Sequence, residues 1–250
     1  MPYVPITDEQ EKSMLEFLGF KNYDELLAFI PSNLRINTTM GLCEGLSEFE
    51  VEKKVQEFMK KNNPASEGLC FLGGGAYDHY IPKIVDFIAS RSEFYTAYTP
   101  YQSEVSQGTL QYLFEFQSMI CELSGMDVAN ASLYDGASAV AEACSLAINT
   151  TRRKKIAISA SINPRYLNVV QSYMQNRQVE INILPCVNGI TDINSIKSFK
   201  DEYAAIVIQT PNYWGLLEDL SSFKINDNTL LVSVSDPISL SVMDSPRNMG

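Results

Sequence analysis

Four stretches of this 250-residue chain put chemistry-bearing residue types where a fold could use them. Asp135-Gly136-Ala137-Ser138 makes a turn that opens a helical pattern straight after an apolar segment. A helix start offers unpaired N–H groups and a partial positive charge, so it suits a phosphate, and Ser138 adds a hydroxyl donor. The same residue types more often form a plain turn and cap. Asp236 ends an apolar run at 230–234 and is followed by Pro237. There a carboxylate can pair with the protonated ring nitrogen of a cofactor, or simply terminate the strand. Thr210-Pro211-Asn212-Tyr213-Trp214-Gly215 follows a second apolar run and holds the single Trp. Asn212 carries both donor and acceptor groups for a ligand, while a structural turn around a buried aromatic explains the same residues. His79, the one histidine, lies in Gly75-Ala76-Tyr77-Asp78-His79-Tyr80. It could move a proton near neutral pH with help from Asp78 or a tyrosine, or act as a hydrogen-bonded structural residue. A single histidine argues against His-based metal sites and against a Ser/His/Asp triad with a spare base.

The elements that would hold these residues follow from periodicity. After Gly125 the pattern alternates: a short apolar stretch to Tyr134, a helix at 136–149, a strand at 156–159, and a helix with Asn163 as cap and Pro164 first. Strands follow at 179–184, 204–208 and 230–234. Such β-branched runs between helices predict an α/β fold with a mostly parallel sheet and helices on both faces. A long amphipathic helix at about 108–123 precedes them, with Leu110, Leu113, Phe114, Gln117, Ile120 and Leu123 on an expected core face and Gly125 as stop. Residues 68–107 are Gly- and Tyr-rich, with sparse regular structure apart from a helix near 82–89. Before them, Thr7/Gln10, Asn22/Glu25 and Ser47/Glu50 each set a cap three residues ahead of a Glu or Gln. Apolar residues at helical spacing (Met14, Leu15, Leu18; Leu26, Leu27, Ile30; Val51, Val55, Phe58) predict one buried face per helix. The division expected is a helical arm, 1–67, and a large α/β domain, 68–250.

Bulk properties narrow the function. A net charge of -11 and a pI near 4.6 argue against a nucleic-acid partner. The one compact basic run, Arg152-Arg153-Lys154-Lys155, reads as a solvated helix end. Five scattered cysteines (Cys43, Cys70, Cys121, Cys144, Cys186) read as reduced and mostly buried. No apolar run is long enough for a membrane span and no basic leader precedes the first helix, so no membrane partner is expected and the cytoplasm is the expected compartment. No G-x-G-x-x-G or P-loop follows a strand, which disfavours a nucleotide-binding protein.

Longer runs carry more information. Phe71-Leu72-Gly73-Gly74-Gly75-Ala76-Tyr77-Asp78-His79-Tyr80-Ile81-Pro82 and Ser90-Arg91-Ser92-Glu93-Phe94-Tyr95-Thr96-Ala97-Tyr98-Thr99-Pro100-Tyr101-Gln102 closely resemble subunit 1 of the two-subunit glycine decarboxylases, the P-protein family of the glycine cleavage system. So do Gln107-Gly108, Phe114-Glu115-Phe116-Gln117, Met126-Asp127-Val128-Ala129-Asn130, Tyr134-Asp135-Gly136-Ala137 and Pro211-Asn212. The resemblance runs from Tyr3-Val4-Pro5 to Asp236-Pro237-Ile238-Ser239-Leu240. It implies a fold-type-I pyridoxal-phosphate transferase-like domain, a heterodimer that pairs into a tetramer, and a family chain that continues past Gly250, so that the C-terminal part of the fold is absent. It also implies that glycine is decarboxylated on the cofactor and its aminomethyl group passed to the lipoyl arm of the H-protein.

In that family the lysine that holds pyridoxal phosphate follows the strand whose Asp meets the ring, and beyond Asp236 this chain has no lysine. The resemblance therefore assigns the cofactor to the partner, subunit 2, and no catalytic Schiff-base lysine to this chain. It casts Tyr77, His79, Tyr95, Tyr98, Thr99, Tyr101 and Gln102 as residues facing the partner's cofactor and the lipoyl channel, because rings with polar tips suit such a wall. Asp135, Gly136, Ser138, Asn212 and Asp236 are the cofactor-binding candidates. The alternative is a catalytically silent scaffold subunit, or an inactive fragment, that only stabilises the lysine-bearing partner.

Overall fold

Side-chain caps start the helices of the first unit in the computed structural model, which describes residues 5–36, 41–71, 73–75, 78–196, 202–223 and 228–249. The chain divides into two units, Met1–Gly68 and Leu69–Gly250. In the first, Thr7 and Gln10 close a capping box on α1 (Asp8–Phe17), and Ser47 and Glu50 close another on α3 (Glu48–Met59). Asn22 caps α2 (Tyr23–Leu26) by accepting from the Glu25 amide. All three cap pairs stand where the sequence puts them. The expected buried faces do not follow: among the described residues of this unit Leu15 alone is buried, and Val51, Val55 and Phe58 are exposed. A helix buries its apolar stripe only against another layer, and no described residue of this unit supplies one for α3.

The second unit contains, in order, α4 (Lys83–Ala89), α5 (Ser92–Tyr95), α6 (Gln107–Ser124), α7 (Gly136–Thr151), β1 (Lys155–Ser159), α8 (Pro164–Met174), β2 (Glu180–Leu184), β3 (Cys186–Val187), β4 (Ile190–Thr191), β5 (Ala205–Thr210), β6 (Leu230–Ser235) and α9 (Pro246–Met249). Four strands form one parallel sheet in the order β2-β1-β5-β6. The chain steps from β1 to one side for β2, then returns to the other side for β5 and β6. The order therefore reverses between β1 and β5, and ligands of open α/β sheets bind beyond the carboxyl ends at such a point.

Alternation along the strands makes two cores. Ile156, Ile158, Ala205 and Val207 face α7 and α8, meeting Val140, Ala141, Cys144, Val170 and Met174. Ala157, Ile206 and Ile208 point the other way, toward Leu184, Ile196, Tyr203, Leu220 and Phe223, around the short 3-10 helices Ile193–Ser195 and Leu220–Phe223. β5 is buried at every position, as a central strand with both faces covered requires.

Several local expectations are corrected. The α6 face is not core: Phe114 and Leu123 are exposed and no α6 residue is fully buried, because no described layer covers it. The stretch ending at Tyr134 forms no strand, and Tyr134 is exposed. The basic run is more than a solvated helix end. Arg153 donates to the carbonyls of Tyr203 and Asn228 and to the Thr229 hydroxyl, and Lys155 pairs with Glu202 and Glu180. Of the five cysteines, only Cys144 is buried, its thiol pushed up to about 12 by desolvation, while Cys43 and Cys70 are exposed. The β3–β4 hairpin was missed, although Asn188-Gly189 between apolar pairs signals it and both residues take positive φ, 52° and 79°.

Candidate functional site at the carboxyl edge of the sheet

The carboxyl ends of β1, β5 and β6 open onto a cleft of about 400 Å³. Its polar lining comes from His79, Asn163, Tyr166, Gln209, Ser235 and Asp236, beside Gly75 and Pro211. Each is placed by a local rule. Asn163 caps α8, accepting from the Arg165 amide through Oδ1 at 3.0 Å. Its own amide donates to Gln209 Oε1 at 2.8 Å, which ties the start of α8 to the end of β5. Asp236 follows β6 directly and caps the 3-10 helix Pro237–Ser241, accepting from the Ile238 amide through Oδ1 at 3.0 Å. Its second oxygen, Oδ2, lies 3.2 Å from His79 Nε2. Two sequence candidates far apart in the chain thus meet in one cleft.

Tyr166 joins the cleft to the start of α7. A Cβ placed on Gly136 would stand 2.6 Å from the Tyr166 hydroxyl, so a side chain there would have to displace the Tyr166 ring. Asp135 caps α7 by accepting from the Ser138 amide at 2.7 Å. That backbone hydrogen bond, with one from the Ser138 side chain, holds the Asp135 carboxyl below its usual range. The helix start already carries a carboxylate on the amide that a phosphate would use.

Asn212 turns inward. It is 0% exposed: its Nδ2 donates to the Gly189 carbonyl at 2.8 Å and to Glu218 Oε1 at 3.0 Å, and its Oδ1 accepts from the Trp214 and Leu216 amides. Glu218 also accepts from the hydroxyls of Ser161 (2.9 Å) and Thr191 (3.1 Å) and from the Thr191 amide. This network pins the loop after β5 to the loop after β1 and to the β3–β4 hairpin.

Of the Gly- and Tyr-rich segment, Gly75 and His79 line the cleft, and its described tyrosines are not among the lining residues. Tyr95, at the end of α5, and Tyr98 and Tyr101, in the extended stretch after it, are largely exposed, as are Thr99 and Gln102. Tyr77 lies outside the described residues. Sequence reasoning missed Tyr166, Gln209 and Glu218. Gln209 could have been found as a polar residue interrupting the end of a fully apolar strand, whereas a loop Glu such as Glu218 reads as surface.

The whole chain, residues 1–250, matches the family described as glycine cleavage system P-protein. The chain belongs to this family. Relatives called probable glycine dehydrogenase (decarboxylating) subunit 1 are 45% identical in Desulforamulus reducens and 46% identical in Syntrophomonas wolfei, each over 100% of this chain and over 57% and 58% of their own lengths. A crystal structure of glycine decarboxylase (P-protein) of the glycine cleavage system, in inhibitor-bound form, superposes with a TM-score of 0.86 at 39% identity, over 100% of this chain and 56% of that one. A Burkholderia pseudomallei sphingosine-1-phosphate lyase shares the fold at 13% identity and a TM-score of 0.53, over 83% of this chain and 50% of its own. The P-protein chain described here thus spans a little over half the length of the relatives it matches.

P-proteins depend on pyridoxal phosphate. The cleft does not fit a lysine-tethered copy of it. None of the lining residues is lysine, both Asp236 oxygens are engaged, and Asp135 occupies the start of α7. Lys154 reaches Gln178 and Lys155 reaches Glu202, at the opposite, amino end of the sheet.

Proposed function

We propose that this chain is a subunit of glycine decarboxylase that acts with a lysine-bearing partner, subunit 2, in the cytoplasm. In this reading the partner holds pyridoxal phosphate covalently, glycine is the substrate, and the aminomethyl group leaves on the lipoyl arm of the H-protein. The single observation that carries it is the match over all 250 residues to P-proteins, in sequence and in fold, combined with a cleft that offers no lysine.

The part assigned to this chain is a wall. Tyr95, Tyr98 and Tyr101 present rings with hydroxyl tips, and Thr99 and Gln102 add short polar groups between them. Exposed aromatic rings in a row are costly to leave in water and suit a face that another surface covers. Once covered, such rings exclude water while their hydroxyls orient a small polar substrate. Tyr77 and His79 belong to the same proposed channel, and Asp135, Gly136, Ser138, Asn212 and Asp236 act by holding the framework behind it.

The test is carbon exchange between labelled bicarbonate and glycine, with pyridoxal phosphate and lipoylated H-protein present. This chain, the lysine-bearing partner and their mixture are compared. Exchange in the mixture alone supports a required subunit. Equal exchange by the partner alone rejects it.

A further inference from the structure

We infer that the outer edge of β2, with the groove beside it against α8, binds an extended, uncharged polar segment of another polypeptide as an added strand. The groove shares no lining residue with the cleft at the carboxyl ends of β1, β5 and β6, and its role does not rest on the function proposed above.

β2 ends the sheet on one side, and β1 is its one neighbour among the described residues. The Glu180 amide donates to the Lys154 carbonyl at 2.8 Å, and the Leu184 carbonyl accepts from the Ala160 amide at 2.9 Å. Glu180, Asn182 and Leu184 therefore turn their backbone groups inward, and by the two-residue period of a strand Ile181 and Ile183 turn theirs outward. Two N–H groups and two carbonyls stand in a row along this edge, with no described strand to meet them. Such a row is a template for a further strand. Proteins blunt such edges with charge, proline or a bulge. Here Glu180 stands at one end and Pro185 lies just past the other, while Ile181, Asn182 and Ile183 between them carry no such guard. Ile183 is 45% exposed, an apolar side chain left at the open edge. The flanking guards limit the added strand to a short one.

The groove decides what that strand carries. It holds about 500 Å³ between α8 and the start of β2. Buried Met174 and half-buried Val179 form its floor, and the exposed carboxamides of Asn168, Gln171, Gln175 and Gln178 form its rim. No lining residue is charged; Lys154, which donates to Gln178 Oε1 at 3.3 Å, lies outside the lining. A carboxamide both donates and accepts, so this rim matches peptide groups and side chains that end in an amide or a hydroxyl. A charged side chain entering here would leave water for a lining that offers it no opposite charge. Alternation along a strand sends every second side chain toward α8, so glutamine or asparagine at alternate positions meets the rim while the backbone completes the ladder.

The test follows the backbone amide signals of the isotope-labelled intact chain by NMR. The probe is the end-capped peptide Thr-Gln-Thr-Gln-Thr. Saturable movement of the Ile181 and Ile183 signals, with slower hydrogen exchange at those two amides, is the expected result. The same peptide with every backbone amide N-methylated keeps its side chains and loses its donors, and is expected to bind at least about tenfold more weakly. Thr-Glu-Thr-Glu-Thr at matched ionic strength is expected to weaken by a similar factor. No movement at Ile181 and Ile183 overturns the inference. So does equal binding of the N-methylated peptide, which would make the contact adsorption of side chains, and so does equal binding of the glutamate peptide, which would remove the selection for an uncharged segment. Ile183→Pro deletes one outward donor at an edge position, where proline is tolerated, and is expected to weaken the glutamine peptide by roughly fivefold or more. Unchanged affinity in that variant also overturns the inference, and the comparison of three peptides on the wild-type chain stands even where the variant folds poorly.

Discussion

Asn212 donates from Nδ2 to Glu218 Oε1 at 3.0 Å, and Glu218 is 1% exposed with no cation paired to it among the described residues. Neutral donors alone satisfy this carboxyl group, and they come from the loops after β1 and β5 and from strand β4. Removing it strands several of them in a dry interior, each unsatisfied group costing about 1–3 kcal/mol. Glu218→Ala should therefore destabilise the fold by roughly 3 kcal/mol or more. Glu218→Gln, which keeps one acceptor, should cost less. Urea unfolding midpoints measure both, and a wild-type midpoint for Glu218→Ala would show that the network is dispensable.

Gly136 and Tyr166 give a second expectation. A methyl group on Gly136 would stand 2.6 Å from the Tyr166 hydroxyl and 3.0 Å from its Cζ. Gly136→Ala should then destabilise by about 1–3 kcal/mol, although alanine is the better helix former. Removing the hydroxyl with Tyr166→Phe should recover part of that loss. A double-mutant cycle tests this, and strict additivity would place the cost elsewhere.

Asp135 sets a pH dependence. Its hydrogen bonds from Ser138 hold its carboxyl below the ordinary aspartate range. A carboxyl depressed on folding contributes stability that is fully present above its unfolded pKa of about 3.9 and is lost as pH falls through the lower folded value. Asp135→Asn keeps a capping oxygen and cannot titrate. The wild type should therefore lose stability more steeply than the variant as pH drops below about 4. Thermal midpoints from pH 7 to pH 3 measure the difference, and parallel profiles would remove Asp135 from the acid response.

How much of this was legible in the sequence depended on whether the signal was local. Caps such as Thr7, Ser47 and Asn163 act within three residues, so their helices stand where the spacing puts them. The sheet strands were legible because β-branched runs that are buried on two faces have few alternatives. Burial of α3 and α6 was not, since an apolar stripe states that a face wants cover and says nothing about whether this chain supplies it. In the cleft, Asp236 was visible as a carboxylate at a strand end, and its meeting with His79 was not, because 157 residues separate them. Tyr166, Gln209 and Glu218 carry no pattern of their own. Their roles come from the placement of β1 beside β5, which only the folded chain displays.

Tyr98 gives the sharpest expectation for the proposed function. It is 87% exposed, so truncating it removes little from the fold of this chain, and any effect must arise against something that covers it. In the complex with the lysine-bearing partner, Tyr98→Ala should lower bicarbonate–glycine exchange by roughly fivefold to tenfold, the worth of about one hydrogen bond at a desolvated site. Tyr98→Phe separates the hydroxyl from the ring: an equal loss assigns the effect to the hydroxyl, and a smaller one to the wall that the ring forms. Size-exclusion chromatography of the same samples checks that the complex persists. Full exchange by an intact complex carrying Tyr98→Ala would leave this chain a silent scaffold at that face. Loss of exchange with loss of the complex would instead make Tyr98 an assembly contact, and the channel would then need other walls.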